Sequence, residues 1–356
     1  MKSNKLNIFV CLTCGLIIVG FVFFSSGVEN LVHNFNSLNF WWIAAAVGCM
    51  LLYWLLESLI LHIMIKPMHR TQKFVNSVRV SMGGQYFNSI TPFSSGGQPF
   101  QAYYLKKQGV QLGVAINSLL SKFIVYQVAL VIVSAVLLCL RLGYFQQKVS
   151  NFALIVLVGF LLNLGVMLCL IGFALFKNTT RKISRGIIRL LAKIHIFKDP
   201  DAKIAYMDEE LEKFSVCFKE MVKDLPTMIC SFLLSILQLI VYMAVPYMIY
   251  KAFGLNEIDF LTIIAAQSFV MMVSSFIPIP GAGVGAEGFF YFFFQQFFLK
   301  EGQLGLALIL WRVITFYFTI VVGAFFAVKA NKKKDKEEVP ASDKEDSSCE
   351  KENLQI

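Results

Sequence analysis

Four charged residues interrupt the apolar segments of this chain. They are Glu57 in YWLLESLILH, Lys122 in NSLLSKFIVYQ, Glu287 in GAGVGAEGFFY and Arg312 in LILWRVITFYF. A charge inside a membrane is costly, so such residues form pairs or line the path of a substrate or ion. Two buried pairings are open, Glu57 with Arg312 or Glu287 with Lys122, and the ammonium of Lys122 has the further option of extending to the membrane surface. We favour Glu287 and Arg312 over Glu57 as parts of a transport path.

Two polar, flexible stretches break the apolar pattern. They are Thr91–Lys107, TPFSSGGQPFQAYYLKK, and Ile277–Tyr291, IPIPGAGVGAEGFFY. Each reads as a proline, a glycine-rich turn, a polar residue and an aromatic pair, in a register that aligns Pro92 with Pro278, Gly97 with Gly283 and Gln101 with Glu287. Broken helices are tolerated in a membrane only around protein or water, and paired breaks in two halves point to a transporter's binding site. The alternative is two tight connections at the cytoplasmic face.

These stretches predict the lining of a cavity. Helix N-termini that follow such breaks are weakly positive and can hold a phosphate. We expect Glu287 and Arg312 to contact the headgroup or each other, and Lys122 to face a phosphate. The candidate residues are Pro92, Gly96, Gly97, Gln98, Gln101, Tyr103, Lys122, Pro278, Pro280, Gly281, Gly283, Gly285, Glu287 and Arg312.

Composition sets the fold class. The chain is 57% hydrophobic and 15% charged, whereas a soluble domain has about 25% charged residues. Apolar runs near the ~20 residues that span a membrane predict an all-α, polytopic bundle rather than a β-barrel. Eight spans are predicted, at Leu6–Phe24, Phe40–Ile63, Val114–Leu140, Phe152–Phe176, Met228–Tyr250, Phe260–Ile277, Val284–Leu299 and Leu304–Val328. The seventh is short enough to be re-entrant, and the paired breaks suggest an inverted repeat.

The basic residues indicate orientation in the cell membrane. The net charge is +10, and the Lys and Arg residues cluster in a few connections and at the start of the tail, while residues 25–39 contain Glu29 and no Lys or Arg. Positive residues favour the cytoplasmic side, so an even number of crossings places both termini there. We expect an integral bundle over residues 1–329, with cytoplasmic amphipathic helices at 177–225. A disordered charged tail is expected at 330–356. The clustering of the basic residues in these connections fits the cytoplasmic membrane surface, so no nucleic-acid partner is predicted.

The sequence lacks the usual catalytic signatures. The four histidines are scattered, without HExxH, GxSxG or a GxxxxGK[ST] nucleotide loop. No spacing indicates a metal site, so no cofactor is predicted. The cysteines inside apolar runs, including Cys11 and Cys14, are interpreted as small packing residues.

The two broken stretches also carry a family resemblance. TPFSSGGQPFQAYYLKKQGV with its following lysine-bearing helix, FIPIPGAGVGAEGFF and the late Arg312 resemble the lysylphosphatidylglycerol synthase transmembrane-region family over nearly all of residues 6–329. This is the membrane half of the bacterial multiple peptide resistance factor. The resemblance implies a flippase for aminoacylated phosphatidylglycerol, linked to cationic peptide resistance. Many members carry an acid and an arginine where this chain has Gln98 and Gln101, which leaves the substrate open.

Three functions follow as hypotheses. The first is a translocase for a phospholipid, an aminoacyl-phospholipid or a lipid-linked sugar, with an anionic or zwitterionic headgroup. The second is phosphatidylglycerol lysyltransferase. In two-part members a separate cytosolic domain performs that transfer, and here a short charged tail follows the bundle, so we expect no such enzyme activity. The third is an accessory subunit that docks on a lipid-modifying enzyme. A homo-oligomer is compatible with all three.

Overall fold

The computed structural model describes residues 28–148, 152–175, 177–193, 223–275, 277, 279–298, 300 and 302–332, together with positions 13, 20, 201, 204, 205, 207 and 208. Within these ranges the chain forms helices and connections, without a strand. The predicted span Leu6–Phe24, Pro278 and most of the predicted tail lie outside them. The all-helical class is confirmed.

Thirteen α-helices are numbered here in chain order through the described residues. The first six are α1 (Val28–Asn36), α2 (Phe40–Ile65), α3 (Phe74–Ile90), α4 (Gly97–Lys107), α5 (Leu112–Lys148) and α6 (Phe152–Leu175). The remainder are α7 (Lys177–Lys193), α8 (Leu225–Met243), α9 (Val245–Ala252), α10 (Phe260–Ser274), α11 (Gly285–Phe294), α12 (Gln303–Arg312) and α13 (Phe318–Lys332). Short 3-10 turns at Pro92–Ser94 and Pro280–Ala282 precede α4 and α11, and a π-helical segment, Val313–Tyr317, joins α12 to α13.

Four segments of the described chain are long and apolar enough to cross a membrane. They are Phe40–Ile65, Leu112–Gln147, Leu225–Ala252 and Gln303–Val328. The predicted spans at 260–277 and 284–299 are shorter. Helices α10 and α11 have 15 and 10 residues, or about 22 and 15 Å, against a hydrocarbon core of about 30 Å. Neither helix crosses alone, because the break after α10 returns the chain on itself.

The bundle contains two helical hairpins, one in the predicted connection after α2 and one in place of these two predicted crossings. In the first, α3 and α4 pack against each other, and a Cβ on Gly83 would lie 2.3 Å from the ring of Phe100. In the second, α10 packs on α11, and a Cβ on Gly285 would lie 2.0 Å from Ile277. The missing side chains allow the two arms of each hairpin to lie close together, as small residues do between membrane helices.

The bundle consists of two halves with the same element order. Each half has a long helix, a hairpin broken by a 3-10 turn, and a second long helix, namely α2 to α5 and then α8 to α13. Each hairpin packs on the other half, α3 on α13 and α10 on α5, and α2 packs on α8. The two turns also contact each other. The tips of the hairpins therefore meet inside the bundle.

Helix α7 follows α6 directly and is strongly basic. Its Arg185 forms a hydrogen-bonded ion pair with Asp208, and the Nε atom of Arg181 lies 3.3 Å from the same carboxylate. The hydrogen bond from Arg185 lowers the pKa of Asp208 below its ordinary value. A helix is thus present at the start of the connection where amphipathic helices were predicted. Their cytoplasmic placement stays a prediction, and most of the second one lies outside the described residues.

Candidate functional site: a polar cavity between the two hairpins

A cavity of about 790 Å³ lies where the two hairpins meet. Its wall includes side chains of α2, α3, α5, α6, α8 and α10 and both 3-10 turns. Phe93, Ser94 and Ser95 line it and are exposed, so it opens beside the first turn. This volume falls in the range of about 300–1,000 Å³ that is usual for small-molecule sites.

The two turns share one backbone conformation. Phe93, with φ 53° and ψ 20°, follows Pro92, and Gly281, with φ 64° and ψ 17°, follows Pro280. Each helix after the turn begins at the same distance from its proline, at Gly97 and at Gly285. The predicted alignment of Pro92 with Pro278 and of Gly97 with Gly283 is therefore wrong by two residues, because a proline must start the turn and its next residue must take the left-handed conformation.

In the corrected alignment of the two turns, Gln101 and Glu287 are no longer equivalent residues. Gln101 is buried in α4, and a Cβ on Gly84 of α3 would lie 2.2 Å from its amide. Glu287 lies in the first turn of α11, where a carboxylate complements the positive end of the helix. The two residues do not occupy equivalent positions in the hairpins.

The N-terminus of α4 is already capped by side chains at the end of α3 and directly after it. The Gly96 amide donates to Oγ1 of Thr91 at 2.8 Å, and the Gly97 amide donates to Oδ1 of Asn88 at 2.9 Å. A Cβ on Gly97 would lie 2.1 Å from that Asn88 oxygen, so glycine is needed for the contact. These two amides are not free to bind an anion, contrary to the expectation for this helix start. Positive charge in the cavity comes from side chains instead.

Lys122 and Glu57 form the first buried ion pair. The Lys122 ammonium donates to Oε1 of Glu57 at 2.5 Å, joining α5 to α2. The second carboxylate oxygen accepts a hydrogen bond of 2.7 Å from the amide of Gln238 in α8. Lys122 and Glu57 line the cavity and are at most 9% exposed. Lys122 thus stays inside the bundle and does not extend to the membrane surface.

Arg312 and Glu287 form the second buried ion pair. The Nε atom of Arg312 lies 2.6 Å from Oε1 of Glu287, although its N–H is not aligned for a hydrogen bond. Its Nη1 donates to the carbonyl of Gly281 at 3.2 Å, which ties α12 to the second turn. Its Nη2 is buried without a hydrogen-bond partner. The guanidinium lies 4.9 Å from the ring of Trp311, a cation–π arrangement.

Both suggested pairings are wrong. Glu57 pairs with Lys122 and not with Arg312, and Glu287 pairs with Arg312 and not with Lys122. The reason is the register of the two halves, which places each acid beside the basic residue of its own half. The expected contact of Glu287 with Arg312 is confirmed.

A set of buried amides in the cavity wall was missed by the sequence reasoning. Gln127 in α5 donates to Oδ1 of Asn163 in α6 at 3.0 Å, and Asn163 donates to the carbonyl of Met272 in α10 at 2.9 Å. Gln267 in α10 is 0% exposed, and both atoms of its amide lack a partner. Each amide interrupts an apolar run, and in a membrane bundle such an interruption indicates a polar contact for amides as it does for charged residues.

Three tyrosines lie in the cavity wall, near the ion pairs. The rings of Tyr53 and Tyr242 have centroids 5.3 Å apart, and Tyr53, Tyr126 and Glu57 lie within electrostatic range of one another. Tyr242 lies near Arg312 as well. The tyrosines therefore add polar groups to the cavity wall near both ion pairs.

The candidate residues differ in their positions relative to the cavity. Gln98, Gln101, Lys122, Gly281 and Arg312 line the cavity. Glu287 supports the lining through Arg312, while the described prolines and other glycines shape the turns. Tyr103 is exposed on α4, beneath the ammonium of Lys107 at 5.2 Å, and is not part of the wall.

Comparison with known proteins identifies the family. The model of the family described as "Lysylphosphatidylglycerol synthase TM region" matches residues 10–323. The chain belongs to this family. A relative in Archaeoglobus fulgidus, a "UPF0104 membrane protein", is 25% identical over 275 residues, which is 76% of this chain and 81% of the relative. Membership and the apolar helices together make this a multi-pass membrane protein, and the family match extends through both hairpins and both ion pairs.

Proposed function

We propose that this protein is a lipid translocase that carries a phosphate-bearing headgroup across the membrane through the cavity between the hairpins. The observation that carries the proposal is the unpartnered Nη2 group of Arg312 in the cavity wall. A buried donor without a partner is unfavourable, and guanidinium groups bind phosphate oxygens well. The unpartnered amide of Gln267 adds a neutral polar contact in the same cavity.

The dimensions fit a headgroup and not a whole lipid. A cavity of about 790 Å³ can enclose a polar headgroup while the acyl chains remain among apolar residues outside. The outer surface offers such residues, for example Leu51 and Leu55 of α2, which are exposed. The opening beside Phe93 gives the headgroup an entrance.

The arrangement of the halves supports alternating access. If α2, α5, α6, the pair α8–α9 and the segment α12–α13 each cross once, the two hairpins enter from opposite sides and their tips meet midway. Rocking one half against the other would open the cavity to each side in turn. With the predicted span Leu6–Phe24 counted as a sixth crossing, we assign the connections rich in Lys and Arg, and both termini, to the cytoplasmic side of the cell membrane.

Lipid exchange in proteoliposomes tests this function. The purified chain is reconstituted with tail-labelled fluorescent phosphatidylglycerol, lysylphosphatidylglycerol or a glycosylated phospholipid, and dithionite quenching reports the lipid that moves between leaflets. We expect at least one of these to exchange faster than in empty vesicles. Rates equal to those of empty vesicles for all three headgroups would contradict the proposal.

A matched pair of variants locates the path. Ser275 lines the cavity and is exposed at its edge, so Ser275→Trp should fill the opening without disturbing the core and reduce exchange by about tenfold. Val136 is exposed on the outer face of α5, and Val136→Trp should leave exchange unchanged. Equal effects of the two variants would place the lipid path elsewhere.

A further inference from the structure

Each oxygen of the Glu57 carboxylate accepts one hydrogen bond. One oxygen accepts from Lys122 and the other from Gln238. An ionised carboxylate accepts hydrogen bonds and cannot donate them. Glu57 is 8% exposed, so the surrounding water contributes little to the stability of its charge. Its ionised form therefore depends on the ammonium of Lys122.

Gln238 has an acceptor that the ionised carboxylate cannot use. Its Oε1 atom is buried without a partner, and the residue is 1% exposed. A protonated carboxyl group has one donor and one acceptor, and a primary amide complements both. If Glu57 bound a proton, its O–H could donate to Oε1 of Gln238 while its other oxygen kept the Nε2–H bond. The Gln238 amide can therefore form hydrogen bonds with both the ionised and the protonated form of Glu57.

The ammonium of Lys122 faces the cavity that we assign to the headgroup. A phosphate oxygen that binds this ammonium replaces Glu57 as its partner. Glu57 would then be a buried carboxylate without a cation, which is strongly unfavourable. Uptake of a proton removes that charge. We propose that Glu57 is a proton-binding site and that the protein takes up one proton when a phosphate-bearing, monoanionic lipid binds at Lys122.

The charges balance in this step. Before binding, the site holds one carboxylate and one ammonium. Afterwards it holds a neutral carboxyl, the same ammonium and one phosphate monoanion, and the proton has come from water. The site is neutral in both states, so the lipid and the proton cross together without net charge. The inference rests on the proposed function and adds a co-transported proton to it.

The titratable groups around Glu57 keep the same charge near pH 7, so we assign the change of charge to Glu57. Its own helix contributes Tyr53, α5 contributes Lys122 and Tyr126, and α8 contributes Tyr242. Phenols have an ordinary pKa of about 10 and stay neutral near pH 7. Helix α3 and the π-helical segment face the cavity with neutral side chains, including Gln85 and Thr315, and α9, which the structure describes throughout, has no residue in the wall.

Proton uptake can be counted by calorimetry. The full chain in detergent is titrated at about pH 7 with dihexanoyl-phosphatidylglycerol in two buffers of different ionisation enthalpy. We expect uptake of about one proton per lipid, and an affinity that weakens by up to about tenfold per unit of rising pH. Glu57→Gln, which resembles the neutral acid, should bind the lipid with no proton uptake and little dependence on pH.

Controls separate the alternatives. Asp259→Asn alters an ion pair with Arg141 outside the cavity and should retain the proton uptake of the unaltered chain. Dihexanoyl-phosphatidylcholine brings its own cation for Glu57, so its binding should take up less than half as many protons. Inorganic phosphate should give no heat, and heat from phosphate without heat from lipid would overturn the assignment to a lipid. If Glu57→Gln does not fold, E57Q/K122M removes both charges and should bind lipid weakly without proton uptake.

Two results would overturn the inference while leaving the translocase intact. One is lipid binding by the unaltered chain with no proton uptake, and the other is uptake that persists in Glu57→Gln or E57Q/K122M. Absence of both lipid binding and lipid exchange would instead contradict the proposed function itself, and the inference with it.

Discussion

Phe93 and Gly281 adopt the same left-handed backbone conformation, each directly after the proline that starts its turn. Glycine takes this conformation readily, whereas other L-residues lose roughly 1–2 kcal/mol there. Gly281 has a second reason to be glycine, because a Cβ would lie 2.1 Å from the ring of Phe316. Phe93 is 61% exposed and lines the cavity opening. The equivalent positions are thus constrained differently.

The first prediction compares substitutions at these two positions. Phe93→Gly removes the strain and little buried surface, so the free energy of unfolding should rise by about 1 kcal/mol. Gly281→Ala adds both strain and a clash and should lower it by at least about 1 kcal/mol. Thermal unfolding in detergent measures both. Equal destabilisation by the two variants would show that the turns do not share this conformation.

The second prediction concerns the unpartnered amide of Gln267. Gln267→Leu removes a buried group that lacks hydrogen bonds, so stability should rise by about 1 kcal/mol. Lipid exchange should fall, because the headgroup loses a contact. Gln127→Leu is the matched control, since it leaves Oδ1 of Asn163 without its donor and should lower stability by about 1–3 kcal/mol. A stability loss at Gln267 would indicate a structural role.

The third prediction concerns the pair formed by Arg312 and Glu287. Arg312→Met leaves Glu287 as an unpaired buried carboxylate and should lower the free energy of unfolding by about 3–5 kcal/mol. The double variant R312M/E287Q should recover much of that loss, while exchange of phosphatidylglycerol stays low because the headgroup loses its contact with the Arg312 guanidinium. Additive effects in the double-mutant cycle would argue against direct coupling.

The fourth prediction is topological. The ends of the hairpins at Lys106 and Lys300 are exposed, and we place them on opposite sides of the membrane. In a cysteine-free background, a single cysteine at position 106 should react with a membrane-impermeant maleimide from the cytoplasmic side. One at position 300 should react from the outer side. Reaction of both from one side would contradict the inverted arrangement of the halves.

The sequence by itself determined the helical membrane class, because apolar runs of membrane length have no other stable fold in a bilayer. It also located both breaks, since proline and glycine act on the backbone locally. The alignment of the two hairpins, however, depends on the turn geometry, which shows that the second turn starts at Pro280. The spacing of residues in the sequence pointed to Pro278 instead.

Tertiary structure decided the pairing of charges and the contents of the cavity. Glu57 and Lys122 lie far apart in the sequence, and only the packing of α2 on α5 brings them to 2.5 Å. Gln238 and Gln267 are single amides in apolar helices, and their different hydrogen bonding depends on which neighbour each helix face meets. Local sequence fixes where a polar residue sits along a helix, but its partner is fixed by the packing of helices that are distant in the chain.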